Sequence, residues 1–286
     1  MSKLGVLTHT AACLMLVSLA ACDVGSAPVD APLTMQPTPV PGSTGSAAGG
    51  GESATGALPR SLAPAIERTR TASTYRIGFD FELGSEVNGQ AQTQPFIVFE
   101  GDVKGDANHL VYNGGAFTEM LGGGSRIEMI SVDKRTYLKG STFFGAAEPD
   151  RWYYLPDSGI TRPPFSVNDI LQLTGGDLSQ ARQTGIITVD GQSCVTWLAD
   201  FKGKASGLVD LTASAENKAE FNQIDSAEAH FSACADGLVH EMQWNVVSHN
   251  AASPADKASI SVSVHLRDFN SANIVIRPPP NADELK

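Results

Sequence analysis

Beyond residue 22 this sequence has no run of 18 apolar residues, so no later segment is long enough to cross a bilayer as a helix. It has no Gly-x-Ser-x-Gly elbow, no Gly-x-x-x-x-Gly-Lys loop and no His-Glu-x-x-His pair. Those absences remove the hydrolase, phosphate-loop and zinc-peptidase chemistries that need them. No Cys-x-x-Cys pattern is present, which argues against a catalytic thiol. Positive charge is scarce: 20 Lys and Arg stand against 31 Asp and Glu, for a net charge of −11. An acidic surface repels phosphate backbones, so no nucleic-acid partner is expected. There is no internal repeat and no alternation of strand and helix, which excludes a parallel doubly wound sheet. The carboxylates are scattered, without a pair placed for acid and base work. The expectation is a protein that is not an enzyme, with no catalytic residue, no cofactor and no metal.

What is present begins at the N-terminus. Lys3 supplies a short positive region, and from Ala11 an apolar run leads to Leu19-Ala20-Ala21-Cys22. The run is too short to span a membrane and has the length of a signal-peptide core. Its end resembles the lipobox of bacterial lipoproteins. That resemblance implies cleavage after residue 21 and lipidation of the Cys22 thiol. Two or three acyl chains on one residue anchor stably where one does not. Removing residues 1–21 removes only Lys3 among the charges and leaves a net −12. Residues 22–59 are rich in Pro, Gly, Ser and Ala and read as a tether, with a coil dimension of about 35 Å. Asp23 resembles a retention signal for the inner membrane, but that rule is not general. The location expected is therefore a cell or outer membrane, facing the extracytoplasmic side.

Residues 60–286 carry the folded domain, with 42% hydrophobic residues over the whole chain, enough for a core. Arg60 to Thr71 reads as a helix with Leu62 and Ile66 on one face. Alternation then predicts strands at 75–82, 96–103, 109–112, 126–132, 136–139 and 151–155, with Gly122 opening a turn. A helix is predicted from Ser166, with Asp169 in the box position and Gly175-Gly176 at its end. Hairpins follow at 186–201 around Asp190-Gly191 and at 227–247 around Asp236-Gly237. If Asp236-Gly237 is a two-residue turn, Phe231 faces Met242 and Ala229 faces Trp244. Another helix is expected at 214–222, a strand at 258–266 and a last strand at Ile274 to Ile276. The sum is α+β: a large meandering antiparallel sheet covered by a few helices, which leaves a cavity where packing does not fill it.

Several stretches together carry a resemblance to the LolA/LolB-like superfamily, and within it to LppX/LprG-type lipoproteins. They are Tyr75-Arg-Ile-Gly-Phe-Asp-Phe, Phe99-Glu-Gly-Asp-Val-Lys-Gly, Ile127-Glu-Met-Ile-Ser-Val-Asp-Lys-Arg-Thr-Tyr-Leu-Lys, Trp152-Tyr-Tyr-Leu, Val189-Asp-Gly-Gln-Ser-Cys, Asp236-Gly-Leu-Val-His-Glu-Met and Ile276-Arg-Pro-Pro. The resemblance covers most of 60–280 and is one of element order. It implies a curved half-barrel of about 11 strands with an apolar cavity for acyl chains, hence a lipid or acyl-chain partner. The alternative is a filled half-barrel that binds another envelope protein. A monomer is expected.

Cys194 and Cys234 remain after Cys13 is removed and Cys22 is acylated. Export allows them to bridge; the alternative is two buried thiols. Phe79, Phe81, Phe99, Trp152, Phe231 and Trp244 are the candidates for cavity lining, joined by Phe96, Tyr153 and Trp197; plain core packing demands the same pattern. The mature histidines are His109, His230, His240, His249 and His265. His230 and His240 straddle one hairpin, the single place where a metal site is conceivable, although strand histidines are mostly surface groups.

Overall fold

A computed structural model describes residues 57–122, 126–141, 148, 150–155, 178, 180–205 and 223–284. The signal segment, Cys22, the tether as far as residue 56 and the predicted helices from Ser166 and at 214–222 lie outside the described residues.

The first helix, α1 (Leu62–Arg70), follows the extended Ser61 and buries Leu62, Ala65 and Thr69. Arg68 and Arg70 in its last turn suit the negative end of the helix dipole. The Thr69 hydroxyl donates to the Ala65 carbonyl at 2.8 Å and accepts the Val239 N–H at 2.8 Å, which ties the helix to the sheet.

Among the described residues twelve strands form one sheet: β1 (Thr74–Val87), β2 (Gln90–Lys104), β3 (Ala107–Asn113), β4 (Arg126–Val132), β5 (Arg135–Lys139), β6 (Tyr153–Leu155), β7 (Arg182–Val189), β8 (Gln192–Asp200), β9 (Gln223–Cys234), β10 (Val239–Asn250), β11 (Ser253–Arg267) and β12 (Asp283–Glu284). Their order is β12-β6-β5-β4-β3-β2-β1-β11-β10-β9-β8-β7. Two meanders are joined by the antiparallel pair β1–β11, and every pairing is antiparallel except β12 with β6. The order does not close, so the sheet is a curved half-barrel with β7 and β12 at its edges. A short helix, α2 (Ala116–Met120), follows β3 and packs beside β2.

Hairpin chemistry explains the connections. Asn88-Gly89, Asp133-Lys134 and Asp190-Gly191 are two-residue turns with both residues at positive φ, the twist that matches paired strands. The Asn88-Gly89 turn extends β1 and β2 well beyond the strands predicted from alternation, because residues 90–95 are exposed and polar and carry no alternating signal.

The β9–β10 connection departs from expectation in detail. It has three residues, Ala235, Asp236 and Gly237: Cys234 N–H donates to Leu238 O, and Gly237 sits at φ 80°. A bulge at His240 then restores the predicted register, so Phe231 does face Met242 and Ala229 does face Trp244. Val239 and His240, at the bulge, are both buried.

The expected strand at Ile274 to Ile276 does not form. Ile274 is buried, but Val275 is exposed and the chain runs as a strap into Pro278-Pro279-Pro280, which have no N–H to give a ladder. The final strand lies further on, at Asp283–Glu284. Asp283 N–H donates to the Trp152 carbonyl at 3.0 Å.

Candidate functional site

Alternation along β1 to β5 and β8 to β11 puts one apolar face on the inside. Phe79 and Phe99 sit opposite each other on β1 and β2, with stacked rings 4.8 Å apart. Phe99 continues to Tyr112 at 5.3 Å, and Tyr112 to Phe117 of α2 at 5.5 Å. Phe81 meets Phe96 edge-on at 5.5 Å. On the other meander Phe231 and Trp244 make an edge contact at 5.8 Å. Trp244 lies opposite Ala229, and Ala199, Ala227 and Ala233 keep that part of the face low enough for the large ring. Each such aromatic pair contributes about 0.5–1.5 kcal/mol beyond the area it buries.

Five of the six candidate lining residues therefore share this face. Phe79, Phe81, Phe99, Phe231 and Trp244 are each at most 4% exposed and belong to one continuous cluster with α1. Trp152 does not join them. It precedes β6 on the parity of Tyr154, which faces Tyr137 on the outer side. With His109, Ile130 and the strap Val275 to Pro280 it lines a space of about 510 Å³ on that side. The indole N–H groups of Trp197 and Trp244 are buried on the inner side without a hydrogen-bond partner. An unpaired buried donor costs about 1–3 kcal/mol.

Cys194 and Cys234 sit opposite each other on β8 and β9 and form a disulfide. Both are fully buried and pack with Val189 in a small cluster apart from the main core. Beside them lies a polar node that no motif in the sequence marks. His240 Nε2 is 2.9 Å from Asp236 Oδ2, and His240 Nδ1 is 3.5 Å from Asp190 Oδ2. Asp190 also meets His265 Nε2 at 2.9 Å, and the ring of His240 packs edge-on against Phe269. Burial lowers the His240 pKa, but the hydrogen bonds and charges of Asp236 and Asp190 outweigh it and hold the imidazolium above its ordinary range. Burial raises the two carboxylates, and their histidine partners more than reverse that, leaving both below the usual carboxylate range.

The remaining histidines also have carboxylate neighbours: His109 with Glu128 at 3.6 Å, His230 with Glu228 at 3.8 Å and His249 with Asp225 at 2.7 Å. His230 points away from His240, into an outer groove of about 580 Å³ that it shares with Asp80, Glu241 and His265. Burial pushes the Asp80 carboxyl up. Among the described residues no group of three or more His, Cys, Asp or Glu is arranged to hold a metal ion.

No family model and no curated protein matches the chain. Solved structures do. The chain is similar to the lipoprotein LppX of Mycobacterium tuberculosis, at 11% identity and a TM-score of 0.41, covering 74% of this chain and 95% of that one. It is similar to LprF from Mycobacterium bovis at 12% identity and a TM-score of 0.44, covering 76% and 94%. A DUF1329 family protein from Desulfovibrio piger follows at 10% identity and a TM-score of 0.21, covering 72% and 90%. Scores of this size carry no activity from one protein to another. The half-barrel assignment rests on the strand order and registers of this chain.

Proposed function

We propose that this protein is an envelope lipoprotein, held on a membrane through Cys22, that binds or carries acyl chains against the inner face of its half-barrel. The observation that supports it most is the aromatic face itself. It runs across both meanders of an open sheet, and among the described residues the α-helices that accompany it are only α1 and α2. Burying one methylene contributes about 0.8 kcal/mol, so a 16-carbon chain offers more than about 10 kcal/mol before ordering costs. The rings are already buried, so loading requires their contacts with the cover to open. The lipobox and the proline-rich tether support placement at a membrane, and the absence of hydrolase, phosphate-loop and zinc motifs supports a non-catalytic role.

A second reading has its own support: the inner rings pack on one another at 4.8–5.8 Å with almost no exposure. That suits a filled half-barrel whose outer surface binds another envelope protein. Mass spectrometry of organic extracts from the purified full chain separates the two. Stoichiometric acyl lipid supports the first reading; a lipid-free protein that retains an envelope partner in pull-down supports the second. Metabolic labelling with palmitate should mark the wild type and not Cys22→Ser, and the variant should leave the membrane fraction.

A further inference from the structure

The outer side of the sheet carries a second buried patch. Ile130 on β4 and Tyr137 on β5 stand opposite each other with outward parity, yet they are only 7% and 6% exposed. His109 on β3 is opposite Ile130 in the same row. His109, Ile130 and Trp152 line the outer hollow of about 510 Å³ from the sheet, and the strap Val275 to Pro280 lines it from the other side. The strap is pinned at both ends. Ile274 is buried at its start. At its end Asp283 N–H donates to the Trp152 carbonyl at 3.0 Å, the Asp283 carboxylate pairs with Arg151, and the Tyr154 hydroxyl donates to Glu284 Oε2 at 2.7 Å. In between, Pro278, Pro279 and Pro280 have no N–H to draw the chain onto a strand, and consecutive prolines are stiff. The hollow is therefore built into the fold, and its volume falls in the range of about 300–1,000 Å³ found for small-molecule sites.

We propose that the hollow beneath the strap is a binding site for a small carboxylate built on a flat ring. All its residues lie on the outer side, so the site is independent of the acyl-chain reading. The lining decides the class. Ile130, the Trp152 indole, Ile276 and the three prolines offer apolar surface, much of it flat rings, which suits a ring as the body of the ligand. Only two lining side chains are polar, His109 and Arg277, too few for the several hydroxyls of a sugar. Arg277 is exposed and has no acidic partner among the described residues. Its planar fork matches a carboxylate with two parallel hydrogen bonds. Glu128, with the outward parity of Ile130, would oppose an anion, but it is already matched by Arg126 at 3.3 Å and lies 3.6 Å from His109.

The test titrates the purified full chain by calorimetry with three probes: indole-3-acetate, its uncharged amide, and octanoate, a carboxylate without a ring. Thermal unfolding checks the fold of each variant. The wild type should bind indole-3-acetate about tenfold more tightly than either of the others. Arg277→Gln should bring indole-3-acetate down to the level of the amide and leave the amide unchanged, with Tm unaltered because the side chain is exposed. Arg277→Lys, which keeps the charge without the fork, should restore part of the loss. Trp152→Leu should weaken both ring compounds and not octanoate. Binding of indole-3-acetate that survives Arg277→Gln unchanged places the probe elsewhere and overturns the site. Octanoate bound as tightly as indole-3-acetate overturns the ring as the recognised feature, and a folded wild type that binds none of the three overturns the proposal outright.

Discussion

His240 Nε2 lies 2.9 Å from Asp236 Oδ2, a contact made across a three-residue turn by a side chain that sits at a bulge. Asp190, from the turn between β7 and β8, closes the other side of the ring. The node therefore joins two hairpins, next to the disulfide that bridges the same strands.

Stability should depend on pH through this node. A histidine whose folded pKa is raised contributes fully below about pH 6.5 and loses that contribution as pH rises through the folded value. The lowered Asp190 and Asp236 contribute above about pH 4 and lose it as pH falls through their folded values. Urea unfolding should show a maximum between these limits and a decline as pH rises past the ordinary histidine range. His240→Asn should flatten the alkaline decline; an unchanged slope in that variant would remove His240 as its source.

The bridge between Cys194 and Cys234 closes a segment of 40 residues. On the chain-entropy model this is worth about 4 kcal/mol. The double change Cys194→Ala and Cys234→Ala should lower the unfolding free energy by about that amount, with little change in far-ultraviolet circular dichroism. Denaturant titration with and without reductant measures the same quantity.

Phe99 stands at the centre of a ring series that starts at Phe79 and ends at Phe117. Phe99→Ala should cost about 3–5 kcal/mol through lost transfer energy and the space left behind. If the acyl-chain reading holds, the same change should alter the chain length recovered in lipid extracts.

Gly101, two residues on, meets the neighbouring strand so closely that an added Cβ would fall on the His109 carbonyl oxygen. A backbone atom cannot step aside. Gly101→Ala should therefore destabilise by more than the roughly 1–3 kcal/mol of ordinary overpacking, seen as a lowered Tm.

The β7 edge exposes Ile186 and Ile187, at 60% and 41%, on opposite faces of a strand whose only charge is Arg182. Unblunted edges template further strands. Ile186→Lys should reduce concentration-dependent association in light scattering without lowering Tm, since the side chain is largely in water.

Local pattern settled much of this molecule. Phe79, Phe81 and Phe99 alternate with polar neighbours, and a strand has no other way to bury them than on one face. Phe231 opposite Met242 followed from counting outward from Asp236-Gly237, and it held even though the turn has three residues, because the bulge at His240 compensates. Cys194 and Cys234 could be paired because they were the two cysteines left. Other features depend on residues distant in the chain. Trp152 looked like its aromatic companions, but strand parity and the proline strap placed it outside. The Asp190–His240–Asp236 node joins two turns 46 positions apart, and Asn108 gives no signal along the chain that its amide is unpaired. Sequence determined what each segment could bury, because side-chain alternation is local. Only the folded sheet decided which buried groups meet, because those meetings depend on register, bulges and the path of the C-terminal strap.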